Sequence, residues 1–388
     1  MRNPARSAAA ALASAALIAG CGSTAPVAPA PAAQAPPAGA PFLATTLVTA
    51  AGTWAIAVMG GSVATHDNFW QLFARPVGSR SWKLVTPPGT ADNGGLVLAS
   101  AGRSLIAGFR PSQYLTYTPL TATADGGQAW SSTGPLDGAL ADVPDALAAA
   151  PATANLLALL TDGTAAEAAP SGYASWATLA SLRFLAATPP GRRCGLQDLT
   201  AAAFSPSGQL LLGGTCRHPG ALGIFTQTGG TWQAAGPSLP SALADQAMRV
   251  LRLTGTANGT VALLAAGTSP ADRLLAAWSS GSGSQWMLSP PFPLNGARWV
   301  SASFGPDGAV AVVLNGNRGE ALADSKASWR ALPPLPPGTA TLAPGPEAGL
   351  DALAVHRTVL TVWHLAPRSA VWAKMQTINV HVQFGSSG

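Results

Sequence analysis

The 388-residue chain has little charge and few of the side chains that build catalytic or metal sites. Charged residues make up 10% of the chain, which contains three cysteines, three tyrosines and five histidines. No phosphate-binding loop, dinucleotide fingerprint, GxSxG nucleophile motif or HExxH zinc motif occurs. Beyond the first 20 residues, no stretch of 18 uninterrupted apolar residues is available for a transmembrane helix. The sequence therefore predicts neither a cofactor nor a metal site and supplies no motif for an enzyme.

Basic residues are also sparse and scattered. The formal net charge is +5, from 21 basic and 16 acidic residues. Arg2 and Arg6 lie in a segment expected to be removed, which leaves 19 basic residues and a net charge of +3. Because no basic run or aromatic-interleaved basic stripe is present, we predict ordinary surface charge and no nucleic-acid binding.

Glycine and proline are abundant instead, with 43 and 34 residues respectively. Both residue types interrupt helices and supply turns. Their number argues against long helices and for many short strands joined by turns. The composition therefore predicts an all-β fold.

The first 20 residues have the organisation of an export signal. Arg2 and Arg6 form a positive segment, residues 8–18 are apolar, and Ile18-Ala19-Gly20-Cys21 fits a lipobox. The pattern resembles a bacterial lipoprotein signal peptide, which implies cleavage before Cys21 and acylation of that residue. The alternative is an ordinary secretory signal with a chance cysteine. The resemblance implies an extracytoplasmic protein, anchored to the bacterial cell membrane by acyl chains.

Composition separates the chain into three regions. Residues 1–20 form the predicted signal peptide. Residues 21–41 consist almost entirely of Ala, Pro, Gly, Ser, Thr and Gln, so they predict a disordered tether that cannot bury a core. Residues 42–388 carry the apolar runs and turn signals of a folded domain.

Tryptophans that follow a small or polar turn recur through residues 42–388. Their spacings are 48, 46, 56, 54, 43 and 43 residues. These blade-marking tryptophans are Trp82, Trp130, Trp176, Trp232, Trp286, Trp329 and Trp372. Repeats of this length fit the four-stranded blades of a β-propeller. We therefore predict a propeller with seven blades, with six or eight as alternatives.

The repeats agree internally. Residues 199–204 and 299–304 are apolar runs, and each is followed by a turn with proline and glycine and by a second apolar run. Asn258-Gly259 supplies the equivalent hairpin turn in the repeat between them. Such runs are expected of inner propeller strands, which are buried on both faces.

One repeat carries a complete turn motif. Residues 123–130 match Ser/Thr-x-Asp-x-Gly-x-x-Trp through Thr123, Asp125, Gly127 and Trp130. The match resembles the Asp-box, or bacterial neuraminidase repeat, a structural hairpin motif of propellers such as sialidases. Asp125 is expected to accept hydrogen bonds from turn N–H groups, and Gly127 to adopt a positive φ. Trp130 is expected to be largely buried against a neighbouring sheet.

Apolar and polar residues alternate near the C-terminus, with the period of a strand. The apolar members are Ile378, Val380, Val382 and Phe384. We place this strand beyond the one that Trp372 marks and expect it to clasp the first and last blades, so that terminal strands close the ring.

Cys194 and Cys216 remain once Cys21 is assigned to lipidation, and an exported protein meets an oxidising environment. A hairpin turn at residues 206–207 places residue i opposite residue 413 − i, so Cys216 faces Gln197. Cys194 lies three residues from Gln197, within the slack that a disulfide allows. Free thiols and a metal-binding pair are the alternatives.

The sialidase resemblance does not extend to a catalytic set. Sialidases bind the substrate carboxylate through three arginines and use a Tyr–Glu nucleophile pair and an Asp acid. Phe109-Arg110-Pro111 lacks one residue of their Arg-Ile-Pro-type motif. The tyrosines and glutamates stand in no recognisable motif; they are Tyr114, Tyr117, Tyr173, Glu167, Glu320 and Glu347. The histidines show no ligand spacing and are interpreted as polar loop or blade-edge residues; they are His66, His218, His356, His364 and His381.

Asp-box propellers without catalytic residues resemble photosystem-assembly-factor-like proteins, which grip partners through loops between blades. The resemblance implies a non-catalytic binding or assembly scaffold, with an unknown protein or glycan ligand at a propeller face. We expect it to be a monomer. The alternative is a carbohydrate-active enzyme, such as a sialidase-like glycoside hydrolase, or a glycan-binding module. Converging carboxylates at the channel mouth would favour the alternative, and an apolar or arginine-lined rim would favour protein binding.

Overall fold

Strands dominate the computed structural model of the chain. It describes residues 44–60, 68–88, 95–101, 104–109, 120–132, 144–170, 173, 175–267, 272–280, 285–323 and 328–381. The predicted signal peptide, Cys21 and the tether lie outside these residues. Within the described part, no helix is long and apolar enough to cross a membrane.

Consecutive strands form antiparallel meanders of four, numbered here as sheets 1 to 7. Sheets 1 to 4 contain β1 (Ala44–Thr49), β2 (Gly52–Gly60), β3 (Asn68–Pro76) and β4 (Lys83–Leu84); β5 (Leu96–Ala101), β6 (Ser104–Phe109), β7 (Leu120–Thr123) and β8 (Ser131–Ser132); β9 (Ala146–Ala149), β10 (Leu156–Leu159), β11 (Thr164–Ala168) and β12 (Ala177–Ser181); and β13 (Leu196–Phe204), β14 (Leu210–Cys216), β15 (Gly223–Thr228) and β16 (Thr231–Ala234). Sheets 5 to 7 contain β17 (Met248–Thr256), β18 (Gly259–Ala266), β19 (Arg273–Ser280) and β20 (Trp286–Leu288), with the short β21 (Phe292–Pro293) beside β19; β22 (Trp299–Phe304), β23 (Val310–Leu314), β24 (Arg318–Leu322) and β25 (Arg330–Ala331); and β26 (Thr339–Pro344), β27 (Leu350–His356), β28 (Val359–Leu365) and β29 (Ala373–Asn379).

Every blade-marking tryptophan lies at the fourth strand of a sheet. Trp232 and Trp286 lie in β16 and β20, and the other five directly precede the fourth strand of their own sheets. The apolar runs at 199–204 and 299–304 fall in β13 and β22, the first strands of their sheets. The predicted all-β propeller is therefore confirmed. The described strands divide into seven meanders, and pairing of β1 with β22 and of β14 with β17 joins four of these into two larger hydrogen-bonded sheets.

Buried apolar side chains fill each junction between neighbouring sheets with a separate cluster. At the junction of sheets 5 and 6, for example, Leu263 and Leu274 pack with Val312. Burial of one such side chain stabilises a fold by roughly 1.5–3 kcal/mol. Contacts between sheets therefore contribute much of the stability of the ring.

Sheets 1 and 7 meet and close the ring. The side chain of Gln376 in β29 accepts a hydrogen bond from the N–H of Trp82 (2.8 Å) and donates one to its carbonyl (2.9 Å). In addition, β1 pairs in parallel with β22 through Thr45 and Ala302. The first sheet is therefore held both to the last sheet and to the one before it.

The C-terminal alternation does not mark an additional clasp. Trp372 directly precedes β29, and Ile378 belongs to that same strand. Val380 follows β29 and donates its N–H to the carbonyl of Thr358 (2.8 Å). Val382 and Phe384 lie outside the described residues. The prediction placed one strand too many here, because an outer strand with one packed face alternates in the same way as a free clasp.

Two short helices that the composition did not predict join sheets 3 and 4: α1 (Leu182–Ala187) and α2 (Pro189–Cys194). Thr188 caps α2, and its side chain accepts the N–H of the third helical residue. Gly195 ends α2 in the left-handed region, at φ 62°, a conformation that favours glycine. This insertion accounts for the longest spacing between blade-marking tryptophans, 56 residues.

Candidate functional site

The first strands of sheets 1 to 6 line a central channel. Its main cavity has a volume of about 630 Å³ and lies at the turn face, the end where each first strand turns into the second. A smaller cavity of about 80 Å³ lies toward the entry face, where the chain enters each first strand. The first strand of sheet 7, β26, contacts β1 and β22 from outside this lining.

The wall of the main cavity mixes polar and apolar groups, because hydroxyl side chains such as Thr46, Ser100 and Thr254 lie among larger apolar ones. Its larger apolar side chains are Leu47, Leu98, Leu147, Phe204, Leu253 and Phe304. Arg252 is the charged residue among the described residues that line it. The smaller cavity is lined by Arg252 and by one acid, Asp145. The channel is therefore a passage of mixed polarity, and Arg252 is the one charge that the described residues place on its main wall.

Arg252 lines both cavities and thus marks the neck between them. Its guanidinium carbon lies 5.9 Å from the centroid of the Phe304 ring. The residue is half-buried, and it forms no hydrogen bond or ion pair with any residue that the structure describes. Burial lowers the pKa of Arg252 to about 10, so the guanidinium stays protonated at neutral pH.

A second arginine of β17 lies outside both cavities. The guanidinium carbon of Arg249 lies 5.7 Å from the centroid of the Trp299 ring. Its backbone pairs with Thr215 of β14 and so links sheets 4 and 5. Arg249 and Arg252 therefore each stack on an aromatic ring of β22. Of the two, Arg252 lines the channel and Arg249 does not.

The Asp-box turn forms the hydrogen bonds that the motif predicts. Oδ1 of Asp125 accepts the N–H groups of Gln128 (2.9 Å) and Ala129 (3.0 Å). The hydroxyl of Thr123 donates to the same oxygen (2.8 Å) and accepts the N–H of Gly127 (3.0 Å). Gly127 has a φ of 85°. The bond from Ala129 is the main cause that lowers the pKa of Asp125.

Trp130 is half-buried, not largely buried as the sequence led us to expect. Its indole Nε1 donates to the carbonyl of Val85 in the neighbouring repeat (3.0 Å), and it packs on a cluster that contains Trp54 and Leu72. The ring lies beside the two-residue strand β8 at the edge of sheet 2, so the neighbouring sheet covers one side of it. Of the other blade-marking residues, Trp82, Trp232 and Trp372 are buried, and Trp176, Trp286 and Trp329 are half-buried.

Indole hydrogen bonds recur around the ring. Trp329 donates to the carbonyl of Pro290 (3.0 Å), and Trp372 donates to that of Pro333 (3.3 Å). Each acceptor lies four residues beyond the tryptophan of the preceding sheet, and Val85 lies three residues beyond Trp82. For Trp130, Trp329 and Trp372, the sequence repeat is therefore also a repeat of contacts between sheets. The indole N–H groups of Trp232 and Trp286, in contrast, have no hydrogen-bond partner among the residues that the structure describes.

A buried charged cluster at the junction of sheets 7 and 1 was missed from the sequence. The carboxylate of Asp351 lies 3.4 Å from Nε of Arg75 and 2.8 Å from Nδ1 of His364. It also accepts the indole N–H of Trp82 (3.0 Å). Arg75 donates to the carbonyl of Pro344 (2.5 Å). The available signal was a charged residue within an otherwise apolar strand, which describes both Arg75 and Asp351.

Cys194 and Cys216 are joined by a disulfide in the structure, with their Cα atoms 4.9 Å apart. Cys216 faces Leu196, not Gln197, because two register shifts in the β13–β14 hairpin move the pairing. Cys194 ends α2, so the bond ties the helical insertion to sheet 4. Both cysteines are buried.

Residues considered for a sialidase-like site are dispersed over the described part of the chain. Glu167 lies in β11, Glu320 in β24 and Glu347 in the turn before β27. Burial raises the pKa of Glu320. The hydroxyl of Tyr173 donates to the carbonyl of Ala154 (2.7 Å). Arg110, Tyr114 and Tyr117 lie outside the described residues.

The histidines are dispersed as well. His364 belongs to the cluster at the junction of sheets 7 and 1, and His218 lies beside the disulfide, where its ring contacts the carbonyl of Arg193 (3.0 Å). His356 ends β27 and His381 follows β29, both exposed. His66 lies outside the described residues. Within the ranges that the structure describes, no three His, Cys, Asp or Glu residues are grouped to hold a metal ion.

No protein-family model and no curated protein matches the chain. Solved structures match its fold. They include a protein from Lactobacillus plantarum (12% identity, 84% of this chain and 96% of that one, TM-score 0.55), a proposed 6-phosphogluconolactonase from Bacteroides uniformis (14%, 84% and 96%, 0.52) and YCF48 from Cyanidioschyzon merolae (12%, 86% and 98%, 0.51). At these identities, the likeness concerns the propeller fold alone.

Proposed function

We propose that the chain is a lipid-anchored, extracytoplasmic β-propeller that acts as a non-catalytic scaffold and binds a protein partner at the turn-face mouth of its channel. The observation that carries this proposal is the wall of the main cavity, which combines leucine and phenylalanine side chains with hydroxyl groups and has Arg252 as its described charge. Such a wall offers apolar contacts, hydrogen bonds and one cation, which together suit binding of a chain segment. Hydrolysis of a glycoside instead uses two carboxylates that flank the bond.

The anchor in this proposal is Cys21. A cleaved lipoprotein signal leaves this residue at the N-terminus, with several acyl chains that hold the protein firmly in the bilayer. The tether of 21 residues at 21–41 reaches roughly 70 Å when fully extended. The scaffold would thus work at some distance from the membrane while staying attached to it.

Replacing Cys21 tests the anchor. The full-length Cys21→Ser protein is expected to leave the membrane fraction and to lose an incorporated fatty-acid label. Ser23→Ala is the matched control, because it changes a neighbouring residue without touching the acylated thiol, and it should remain in the membrane. A Cys21→Ser protein that still fractionates with membranes and still carries the label would refute the lipid anchor.

Site-specific photo-crosslinking in cells tests the binding face. One crosslinker replaces Ala257, an exposed residue that lines the main cavity. The other replaces Met287, which is 49% exposed on the outer strand β20. We expect a defined protein adduct from position 257 and none from position 287. Adducts from position 287 alone would show that the partner binds at the outer edge. An adduct that glycosidases remove would show that the ligand is a glycan and not a protein.

A further inference from the structure

We infer that the channel binds an organic carboxylate, whose carboxylate pairs with Arg252 at the neck and whose apolar body fills the main cavity. The inference rests on the proposed function in taking the channel as the binding site. It adds the chemical class of the group that is recognised there.

The first argument is that Arg252 has no described partner. Arg252 is half-buried, and a charge partly removed from water without a counter-charge or hydrogen bonds is costly, so arginines in such positions are usually paired. The Phe304 ring offsets part of this cost through a cation–π contact. The ring takes up none of the five guanidinium N–H donors, so these remain available to a ligand in the channel.

The second argument concerns the charge of the ligand. A guanidinium presents two parallel N–H groups that match a carboxylate in a bidentate pair. One cation balances one negative charge. Arg249 stacks on Trp299 outside the cavities and adds no second cation there. A singly charged carboxylate therefore fits this neck better than a phosphate dianion.

The third argument concerns the rest of the ligand. The walls of the main cavity beyond Arg252 include Leu98, Leu147 and Leu253. Its volume of about 630 Å³ falls in the range of small-molecule sites, on the order of 300–1,000 Å³. An apolar body extending from the neck toward the turn face removes this surface from water.

Calorimetric titration of the full-length protein with benzoate tests the inference, and benzamide serves as the uncharged ligand of the same shape. We expect benzoate to bind and benzamide to bind at least about tenfold more weakly, because the charge-assisted pair is lost. Arg252→Gln should lower the affinity for benzoate by a similar factor. Arg249→Gln, on the same strand but outside the cavities, should leave the benzoate affinity unchanged.

A second variant guards against misfolding of Arg252→Gln. Arg252→Lys keeps the charge but not the bidentate geometry, so its benzoate affinity should fall between those of wild type and Arg252→Gln. Thermal melts should show all variants folded. Absence of benzoate binding, equal affinity for benzamide, or an unchanged affinity in both Arg252 variants would overturn the inference. Tighter binding of inorganic phosphate than of benzoate would overturn the assignment to a carboxylate.

These outcomes separate the inference from the proposed function. Benzoate titration needs neither the membrane nor the partner. Crosslinks at position 257 without benzoate binding would support the scaffold function and refute the carboxylate site. Benzoate binding that depends on Arg252, without any crosslink at position 257, would keep the site and refute the partner at the turn-face mouth.

Discussion

Sheet 1 packs against sheet 2 on one side and sheet 7 on the other, and each junction contains a blade-marking tryptophan. The tryptophan with the more complete sequence motif is the less buried of the two. At the junction with sheet 2, Trp130 completes a full match to the Asp-box-like pattern, yet its ring is half-buried. At the junction with sheet 7, Trp82 has little motif beyond the ring, yet it is 1% exposed and donates to the buried carboxylate of Asp351. A complete motif therefore reports the chemistry of a turn, while burial and partners decide how much a residue stabilises the fold.

The reason lies in the range of the contacts. The hydrogen bonds of the Thr123 and Asp125 side chains all join residues within 123–129, on a turn where water competes for the exposed groups. The cluster around Asp351 joins strands that are far apart in the chain and is largely buried. Loss of the carboxylate there leaves the charge of Arg75 without a described counter-charge.

The largest effect is expected at Asp351. Asp351→Ala leaves the guanidinium of Arg75 buried without its counter-charge, which should lower the free energy of unfolding by about 3–5 kcal/mol. Urea unfolding measures the change. The matched control is Arg80→Ala, which breaks the exposed pair of Arg80 and Glu347 at the same junction. That pair should contribute about 0–1 kcal/mol, and an equal loss from both variants would show that burial does not distinguish them.

The next effect is expected at the disulfide. Cys194 and Cys216 are 22 residues apart, and the loop-entropy model assigns such a bond roughly 3 kcal/mol. Cys216→Ser should lower stability by that amount in oxidising buffer. In a strong reductant the wild-type bond is also broken, so Cys216→Ser and wild type should then have similar stability. Mass spectrometry of the exported protein that finds both thiols free would contradict this prediction.

Trp130→Ala should destabilise less than either. A buried tryptophan typically contributes 3–5 kcal/mol, and the half-buried Trp130 loses fewer contacts, so we expect about 1–3 kcal/mol. Trp329→Ala should behave alike, since that ring is also half-buried and its indole also donates to a carbonyl of the preceding repeat. Thermal denaturation compares them. A clear difference between the two would break the equivalence of the repeats.

The smallest effect is expected at Asp125, and it should depend on pH. The turn hydrogen bonds lower the pKa of Asp125 below its ordinary value of 3.8, so they stabilise the fold above that value. The contribution is lost as the pH falls through the lowered pKa of the folded state. The stability difference between wild type and Asp125→Asn should therefore shrink on acidification below pH 3.8. A difference that grows with acidification would reverse the assigned sign.

The propeller and its repeats could be predicted because their signals are local. A tryptophan at the fourth strand and a turn after each first strand recur at a spacing that sequence alone reveals. The same holds for the Asp-box bonds, whose donors and acceptors lie within seven residues. The helices α1 and α2 also had local signals, in the caps Ser181 and Thr188 and the glycine at 195, but the overall composition outweighed them.

The remaining features depend on which strands meet in space. Pairing of Arg75 with Asp351 requires the ring to close between sheets 1 and 7, and no local pattern joins the two residues. The position of Arg252 at the channel neck depends on the inward edge of β17. Two register shifts in the β13–β14 hairpin move the partner of Cys216 by two positions, from Asp198 to Leu196, which alternation alone does not reveal.

The most direct test of the comparison is the melting temperature of Trp82→Phe against that of Trp130→Phe. Both variants keep an aromatic ring and remove one indole N–H. We expect the larger decrease for Trp82→Phe, because Asp351 loses a buried donor, whereas the carbonyl of Val85 at a half-buried ring can bind water instead. An equal or larger decrease for Trp130→Phe would mean that motif completeness, and not burial at the ring closure, decides which tryptophan holds the propeller together.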